Sequence, residues 1–325
     1  MLERAILESI RARTAGGGAL HVGIGDDAAV LRVRPGEEIV VTTDFSLEDV
    51  HFRRNWHAAE AVGHKCLARG LSDIAAMGAR PVAAFVSLAV PAEWTRKRAK
   101  TRSWVDRFYD GLLALAQRWD VLLAGGDLAQ SPGGAHARAA ADIVVIGAVE
   151  RGRALLRSGA KAGDAIYVTG TLGGAAAELR SLTKSSGHFR GITSATREHP
   201  HFFPQPRVGV GRALVRRRLA TAAIDISDGL SVDLRHLCEE SGLRAEVDAA
   251  LLPMGSGATL EDALHGGDDY ELLFTADSVA RIPRSIAGVP VHRIGRMLRR
   301  SHGPRMTLMM DDRRRELKPE GWQHF

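Results

Sequence analysis

The chain has 325 residues, of which 45% are hydrophobic and 25% are charged. These proportions are typical of a folded globular protein and argue against the disordered, collagen-like and disulfide-scaffold classes. The 44 Lys and Arg residues outnumber the 38 Asp and Glu residues, but the basic residues are scattered, so the net charge of +6 does not by itself indicate nucleic-acid binding. The length suggests two domains.

Neither a membrane segment nor a cysteine-based framework is expected. Residues 1–13 have the apolar spacing of an amphipathic helix rather than the continuous apolar block of a signal peptide. The longest mostly apolar stretch, 82–90, has about half of the ~20 residues that a membrane helix needs. Cys66 and Cys238 are far apart, which leaves no disulfide framework and fits a reducing cytoplasm.

Predicted strands and helices alternate through the first half of the chain. Short β-branched apolar runs predict strands, and longer stretches with helical spacing predict helices. In chain order the predicted elements are a helix over 1–13, a strand over 39–43, a helix over 58–77, a strand over 82–90, a helix over 93–119, and strands over 121–124 and 142–149. This alternation indicates an α/β or α+β domain over residues 1–150.

The same alternation predicts a second domain over residues 151–325. Its elements are a strand over 165–169, a helix over 175–182, a strand over 223–226, a helix over 230–241, and strands over 245–247 and 271–275. The segment 184–206 is rich in Ser, Gly and His and contains Pro200, Pro204 and Pro206, which exclude a regular helix there. We expect a loop within the second domain.

Aspartates recur where the predicted elements begin or end, and one further aspartate lies inside a predicted helix. They are Asp26 and Asp27 after Gly23-Ile24-Gly25, Asp44 after Thr42-Thr43 at the end of a strand, Asp73 inside a helix, Asp127 after Gly125-Gly126, and Asp225 and Asp228 between a strand and a helix. Carboxylates and hydroxyls without a nearby His or Cys cluster suit Mg²⁺ rather than zinc. Several gathered carboxylates would repel one another unless cations lay among them. The sequence therefore predicts a divalent-metal site.

Each position also has a structural interpretation. Asp26 and Asp27 could form a turn, Asp44 could cap the next segment, and Ser227 or Asp228 could cap the helix over 230–241. Such uses are the commoner ones for any single aspartate, but the five clusters together favour a site. Asp73 is the most informative of them, because Asp is a poor residue for the interior of a helix.

Two glycine-rich segments are further candidates. Residues 170–174 follow a strand and open a helix, as phosphate-binding loops do. They lack the Lys-Ser/Thr ending of a P-loop and the dinucleotide-binding spacing, so we interpret them as close packing of the strand on the helix. Residues 266–271 carry three carboxylates at the start of a strand, either as further ligands or as a turn at a sheet edge.

These motifs together resemble the thiamine-monophosphate kinase family, within the superfamily of aminoimidazole-ribonucleotide-synthetase-like enzymes. The resemblance runs nearly from end to end and is specific because the motifs occur in a fixed order. They are GIGDDAAVL (23–31), TTDFSLEDVHF (42–52), LSDIAAMGARP (71–81), AGGDLAQSP (124–132), RALLRSGAKAGDAIYVTG (153–170), IDISDGL (224–230) and GGDDYELLFT (266–275).

The resemblance implies an enzyme that transfers the γ-phosphoryl group of ATP to thiamine monophosphate, giving thiamine diphosphate and ADP. The acceptor oxygen is already anionic, so catalysis would require positioning and charge neutralisation rather than a protein base. This explains why the sequence is rich in carboxylates and shows no convincing Ser-His-Asp or Cys-His arrangement. Several Mg²⁺ ions would act as template and electrostatic clamp.

By the same resemblance, three sets of residues form the site, and none is a catalytic nucleophile or base. Magnesium would be held by Asp27, Thr42, Thr43, Asp44, Asp73, Asp127 and Asp225, with Asp228 for a further ion. The nucleotide would contact Tyr109, the Gly126 backbone, Arg157 and Ser227. Thiamine monophosphate would contact His51, Asp269 and Trp322.

The implied fold has two domains, with the N-terminal sheet pairing with that of a second subunit and a C-terminal α/β domain packed beside it. The nucleotide would lie in the cleft between the domains. A homodimer is also expected from the strands over 82–90 and 142–149, which would leave exposed edges in an isolated sheet.

Two alternatives remain open at this stage. One is another ATP-using enzyme of the superfamily, either an amidine-forming purine enzyme or a selenophosphate synthetase, although Cys66 and Cys238 do not lie in an N-terminal catalytic cysteine motif. The other is a basic nucleic-acid-binding protein, suggested by Arg216-Arg217-Arg218. Clustered carboxylates and few aromatic stacking motifs argue against it, so neither nucleic acid nor membrane is expected as a partner.

Overall fold

The computed structural model describes residues 2–14, 17–96, 102–184 and 199–323. Its α-helices are α1 (Leu2–Arg13), α2 (Ala59–Ala76), α3 (Trp104–Arg118), α4 (Gly174–Lys184), α5 (Val208–Arg216), α6 (Leu230–Glu240) and α7 (Leu260–His265). Its strands are β1 (Leu20–Val22), β2 (Val30–Leu31), β3 (Glu37–Leu47), β4 (Arg80–Val90), β5 (Leu122–Gln130), β6 (Ala140–Glu150), β7 (Ala165–Thr169), β8 (Ala222–Ile226), β9 (Arg244–Asp248), β10 (Glu271–Ala276), β11 (Ser285–Ile286), β12 (Val289–Leu298), β13 (Met306–Met310) and β14 (Arg313–Glu316).

The first half of the chain builds a four-stranded sheet in the order β3-β6-β4-β5. The β3–β6 and β6–β4 pairs are antiparallel, and β4 and β5 are parallel. Along β3, Val40, Thr42, Asp44 and Ser46 point to the covered face, and the residues between them point to the other face, as the two-residue period of a strand requires. Helix α2 packs on the covered face together with α3.

The second half builds a larger mixed sheet in the order β14-β13-β9-β12-β7-β10-β8, with β11 paired to β12. The hydrophobic core that includes α2 continues into this half through Leu272 and Phe274 of β10. Packing across this junction brings β8 and β10 beside α2. The predicted mixed α/β class is confirmed.

Several predicted elements differ from the observed ones. Of the predicted helix over 93–119, residues 97–101 lie outside the described part of the chain, and the rest forms a short 3₁₀ helix at Ala92–Thr95 and α3. Helix α3 begins at Trp104 because Ser103 and Asp106 form a reciprocal capping box, which fixes the first turn. Of the predicted loop over 184–206, residues 185–198 lie outside the described part of the chain, and residues 199–206 are turns and irregular backbone.

The predicted sheet edges were also wrong. Strands β4 and β6 lie in the interior of the four-stranded sheet, and its edges are β3 and β5. The apolar character of β4 and β6 arises because their neighbours pair with them on both sides and helices cover one face. An exposed apolar surface of this sheet lies instead on the uncovered face of β3, where the exposed fractions of Ile39, Val41 and Phe45 are 56, 61 and 60%.

No helix within the described residues combines the length and the apolar content that a membrane crossing requires.

Helices α2 and α3 cross at two glycines. A Cβ at Gly111 would lie 1.8 Å from the carbonyl oxygen of Glu60, and a Cβ at Gly63 would lie 1.9 Å from that of Phe108. The helix backbones are therefore in direct contact, with no room for a methyl group.

Gly111→Ala should lower the free energy of unfolding by about 1–3 kcal/mol, because the helices must separate to admit the Cβ. Urea unfolding followed by circular dichroism measures this change. An unaltered unfolding midpoint would show that the helices are less closely packed than the structure has them.

Candidate functional site

Three charged residues recur at every fourth position of α2. Lys65, Arg69 and Asp73 therefore lie on one face of a helix that is otherwise mostly buried and apolar. Helix α2 contacts β3 of the first sheet and also β8 and β10, the last two strands at one edge of the second sheet. Charged side chains are brought together where the two halves of the chain join.

Three carboxylates converge at this junction. Asp44 of β3 accepts a hydrogen bond from Arg69, with 3.0 Å between Nη2 and Oδ1. Asp73 accepts a short hydrogen bond from the Thr42 hydroxyl. Asp225 of β8 accepts one from the buried hydroxyl of Ser72, with 2.6 Å between Oγ and Oδ2. Two strands from different sheets and one helix thus supply the cluster.

Burial and mutual repulsion favour the neutral form of these acids. Burial, together with the negative charge of Asp73, raises the pKa of Asp225 to about 7. Burial also raises the pKa values of Asp44 and Asp73. The positive charge of Arg157, in the short helix Arg157–Gly159, opposes the rise at both Asp73 and Asp225.

These residues line a cleft of about 330 Å³. Seven residues predicted from the sequence lie on its wall, namely Asp44, His51, Asp73, Asp225, Ser227, Asp228 and Trp322. His51 is held by its Nδ1, which accepts the Leu47 N–H at 2.9 Å, and Trp322 is 50% exposed. The cleft combines acidic groups at one part of its wall with an indole at another.

A buried side chain, which the sequence analysis did not identify, holds the backbone of residues 227–229 at the cleft wall. Oδ2 of the buried Asp233 accepts the backbone N–H groups of Ser227, Asp228 and Gly229, each at 3.1 Å. The helix α6 begins after Gly229 with no side-chain cap, so Ser227 and Asp228 do not serve as its cap. Both residues line the cleft.

Asp268, rather than its neighbour Asp269, lies on the cleft wall. Asp269 is turned inward, where its Oδ2 accepts the Gly173 N–H at 2.7 Å and burial raises its pKa well above the usual value. It therefore anchors the glycine-rich turn before α4. A Cβ at Gly173 would lie 2.7 Å from backbone atoms of Asp262 and Ala263, which agrees with the close packing expected of this turn.

A second cleft, of about 480 Å³, contains four other predicted residues. Asp27, Tyr109, Gly126 and Asp127 line it, beside residues of α1. Gly126 has a φ of +151°, and a Cβ there would lie 2.0 Å from the Val86 carbonyl oxygen, so no other residue fits. Asp127 lies inside β5, and Asp44 lies inside β3, whereas both were expected at strand ends.

The eight proposed metal ligands do not form one cluster in the single chain. Asp127 is in register with Ser87, and through it with Asp142 of β6, on the face of the sheet opposite to Asp44. Thr43 points to this other face as well and donates to Asp142 at 2.7 Å. Thr42, Asp44, Asp73 and Asp225 are the members that converge.

Three residues of the cleft wall were given no role from the sequence, namely Arg69, His201 and Tyr270, whereas Asp268 was among the carboxylates noted over residues 266–271. The available signal for Arg69 was the four-residue spacing of Lys65, Arg69 and Asp73 within an apolar helix. Tyr270 belongs to the motif over 266–275, but nothing local in the sequence places either Tyr270 or His201 on the wall of a cleft.

The donor set fits a hard divalent cation. Three carboxylates and the Thr42 hydroxyl offer oxygen alone. Burial and the negative charge of Asp73 raise the pKa of Asp225 to about 7, and a divalent cation bound among these oxygens would offset that repulsion.

Comparison with known proteins identifies related chains along the whole length. The N-terminal domain of AIR synthase related proteins matches residues 25–149, and the C-terminal domain matches residues 161–301. The thiamine-monophosphate kinase of Bacillus subtilis is 34% identical over the full length of both chains.

Two solved structures share the fold. The thiamine-monophosphate kinase from Stenotrophomonas maltophilia K279a is 37% identical with a TM-score of 0.78, covering 94% of this chain and 95% of its own. AaThiL complexed with AMPPCP and TMP is 28% identical with a TM-score of 0.73, covering 100% and 96%. The two-domain fold expected from the sequence is confirmed.

Proposed function

The chain belongs to the thiamine-monophosphate kinase family, and we propose that it transfers the γ-phosphoryl group of ATP to thiamine monophosphate, producing thiamine diphosphate and ADP. The observation that carries the proposal is the convergence of Asp44, Asp73 and Asp225 in a cleft that also contains Trp322. A relative with the same fold binds AMPPCP, an analogue of ATP, together with TMP.

Thr42, Asp44, Asp73 and Asp225 would hold Mg²⁺ at the junction of the two halves. When bound, Mg²⁺ neutralises phosphate charge and orients the reacting oxygens. The chain's own contribution is to fix the ligands, because Arg69 holds Asp44 and Ser72 holds Asp225. Of the remaining candidates for metal ligands, Asp228 lies on the same cleft wall.

The second cleft would receive the nucleotide, although it is lined only by residues of the first half of the chain and does not lie between the two halves as the resemblance implied. Gly126 exposes backbone that a side chain would block, Tyr109 offers a buried ring, and Asp27 and Asp127 offer further oxygen ligands for cations on the phosphates. Arg157 and Ser227 would then meet the phosphates nearer to the carboxylate cluster, where a guanidinium pairs well with phosphate oxygens. Thr43 lies with Asp142 on the face of the first sheet opposite to Asp44, and we include it as a further ligand for a cation on the phosphates.

Thiamine monophosphate would occupy the first cleft between His51 and Trp322. Its flat aminopyrimidine can stack on the indole, and its cationic thiazolium can be attracted to the indole face. Asp269 would not contact the substrate directly. It would hold the turn at Gly173, which precedes the cleft-lining residues Ala175 and Ala176.

Trp322→Ala should raise the KM for thiamine monophosphate about 2- to 30-fold, since a cation–π contact contributes about 0.5–2 kcal/mol. The KM for ATP should stay nearly unchanged. The Trp322 backbone N–H, which donates to the Asp228 carbonyl at 3.0 Å, is retained in the variant. Steady-state kinetics with each substrate varied in turn measure the effect. Equal weakening of both substrates, or a large fall in melting temperature alone, would make Trp322 a structural anchor only.

A homodimer is part of the proposal. The uncovered face of β3 presents Ile39, Val41 and Phe45, with Thr43 between the last two, and such a mostly apolar face on a sheet is suited to a second copy of the same chain. We place the domain boundary near residue 150, at the end of β6. A cytoplasmic location fits the two buried free thiols of Cys66 and Cys238.

The proposed function is tested by incubating the protein with ATP, Mg²⁺ and thiamine monophosphate and separating the products. Thiamine diphosphate and ADP should form in equal amounts, and thiamine without a phosphate should not be converted. Absence of thiamine diphosphate from a folded, Mg²⁺-loaded sample would overturn the proposal.

A further inference from the structure

Lys65 is a buried cation that does not belong to the cleft wall. Its side chain is 3% exposed, and its Nζ donates to Asp268 Oδ2 at 2.7 Å. His201 Nδ1 lies 3.4 Å from the same oxygen. A charge this deep requires a partner, because burial without one is costly. Lys65 and Asp268 satisfy each other, and Asp268 in turn reaches the cleft.

The loop that carries Asp268 is strained. Asp268 has a φ of +68° and Tyr270 has a φ of +50°, values in the left-handed region that residues with side chains rarely adopt. Their N–H groups donate to the carbonyls of Ser227 and Ile226, each at 2.8 Å. Strained backbone of this kind persists where surrounding contacts hold it in place, often at functional sites. Here those contacts include a buried ion pair and the loop beside Asp225.

A continuous set of hydrogen bonds leads from this ion pair to the carboxylate cluster. The Tyr270 hydroxyl donates to Asp268 Oδ1 at 2.8 Å and accepts from Arg69 Nη1 at 3.3 Å. Arg69 Nη2 then donates to Asp44 Oδ1 at 3.0 Å. We name this set the Lys65–Asp44 chain; its members are Lys65, Asp268, Tyr270, Arg69 and Asp44. It contains two cations and two carboxylates, so its charges balance.

The pairing of these two cations with the two carboxylates determines which carboxylate Arg69 binds. Without Lys65, the carboxylate of Asp268, whose side chain is 26% exposed, would lose its ammonium partner. His201 lies 3.4 Å from it. However, Arg69, which reaches Asp268 through the Tyr270 hydroxyl, is the permanently charged group that could replace the ammonium. Arg69 would then be drawn from Asp44 toward Asp268. We propose that Lys65 is a positioning residue for the reaction, because its ammonium occupies Asp268 and so leaves Arg69 bound to Asp44. This inference rests on the proposed function, in which Asp44 is a metal ligand.

A double-mutant cycle tests the inference, with the variants Lys65→Met, Asp268→Asn and the two combined. Lys161→Met, at an exposed lysine, is the matched control and should behave as wild type. Lys65→Met should lower kcat at least about tenfold, raise the Mg²⁺ concentration for half-maximal rate, and lower the melting temperature. The double variant buries neither charge, so its melting temperature should recover toward wild type.

The kcat of the double variant tests whether Lys65 acts through Asp268. If it does, removal of the Asp268 carboxylate removes the pull on Arg69, so the kcat of the double variant should recover to within about threefold of that of Asp268→Asn. The Mg²⁺ concentration for half-maximal rate separates positioning from structure, because partial unfolding of Lys65→Met would lower kcat and leave that concentration unchanged. A double variant whose kcat stays as low as that of Lys65→Met although its stability recovers, losses that multiply, or an unchanged Mg²⁺ dependence in Lys65→Met would overturn the inference. Should Lys65→Met fail to fold, the double variant is compared with Asp268→Asn alone: equal kcat and Mg²⁺ dependence support the inference, and a further loss in the double variant overturns it.

Failure of the proposed function would be visible separately, as a wild-type protein that makes no thiamine diphosphate. Crystal structures of the wild type, Lys65→Met and the double variant then test the inference without turnover. The Arg69–Asp44 hydrogen bond should be lost in Lys65→Met and present in the wild type and the double variant. The same hydrogen bond in all three structures, or its loss in the double variant as well, overturns the inference.

Discussion

Asp225→Asn is expected to lower kcat about a hundredfold or more and to raise the melting temperature of the metal-free protein. The loss of activity follows from replacing an anionic ligand by a neutral one, for which about 3 kcal/mol of transition-state stabilisation corresponds to a hundredfold in rate. The amide oxygen can still accept the Ser72 hydrogen bond, so the fold should remain intact. Asp44→Asn and Asp73→Asn should reduce activity for the same reason.

The gain in stability follows from the pKa of Asp225. The unfolded side chain titrates near 3.8 and the folded one at about 7. Between these values the folded state binds more protons than the unfolded state, so stability falls as the pH rises from about 4 through 7. At pH 8 the metal-free wild type carries the full penalty and the variant does not. The melting temperature of the metal-free variant at pH 8 should therefore be higher than that of the metal-free wild type by roughly 2–4 °C or more.

Thermal unfolding at pH 5 and pH 8, with and without Mg²⁺, provides the measurement. The difference between variant and wild type should be larger at pH 8, and Mg²⁺ should stabilise the wild type more than the variant. A variant that retains wild-type turnover and wild-type Mg²⁺ dependence would remove Asp225 from the metal site. A lower melting temperature for the metal-free variant at pH 8 would contradict the repulsion among the carboxylates.

Val41→Asp is expected to convert a dimer into monomers. Val41 is 61% exposed in the single chain, on the uncovered apolar face of β3, where its register partner on β6 is Ile146. A carboxylate there would be buried without a partner in a dimer, at a cost that a nonpolar interface cannot offset. Light scattering should give about twice the 35.0 kDa chain mass for the wild type and the chain mass for the variant.

Val279→Asp is the control for this experiment. Val279 is 84% exposed but lies in the second half of the chain, in the segment between β10 and β11. Its substitution should leave the dimer intact. A monomeric wild type, or a Val41→Asp variant that keeps the dimer mass, would show that the β3 face is not the subunit interface.

The sequence could predict the elements whose signal is local. Strand β7 has the predicted bounds, and α2, α4 and α6 differ from prediction by one or two residues at their ends, because each is a periodic apolar run with clear stops. Strands β3 and β5 run beyond their predicted apolar cores. Polar residues and glycines interrupt the apolar pattern in these extensions, as at Asp44 and at Gly125-Gly126-Asp127, and pairing with β6 and β4 keeps them in the strands. A single stretch of sequence does not display that pairing.

The site could be predicted only as a set of residue types. The aspartates near turns were visible, and Asp73 was notable inside a helix. Which of them meet depends on contacts such as Ser72 with Asp225, which are 153 positions apart. The placement of Asp268 in the cleft and of Asp269 beneath it depends on two left-handed backbone positions, which neighbouring residues in the sequence do not indicate.

The most direct test of the central claim is a single-turnover reaction with ATP labelled in its γ-phosphate, excess enzyme, Mg²⁺ and thiamine monophosphate. The account predicts that the label moves to the terminal phosphate of thiamine diphosphate in one step, with none retained on the protein and no transfer when EDTA removes the metal. Label found only in inorganic phosphate, or thiamine diphosphate formed without label, would contradict it.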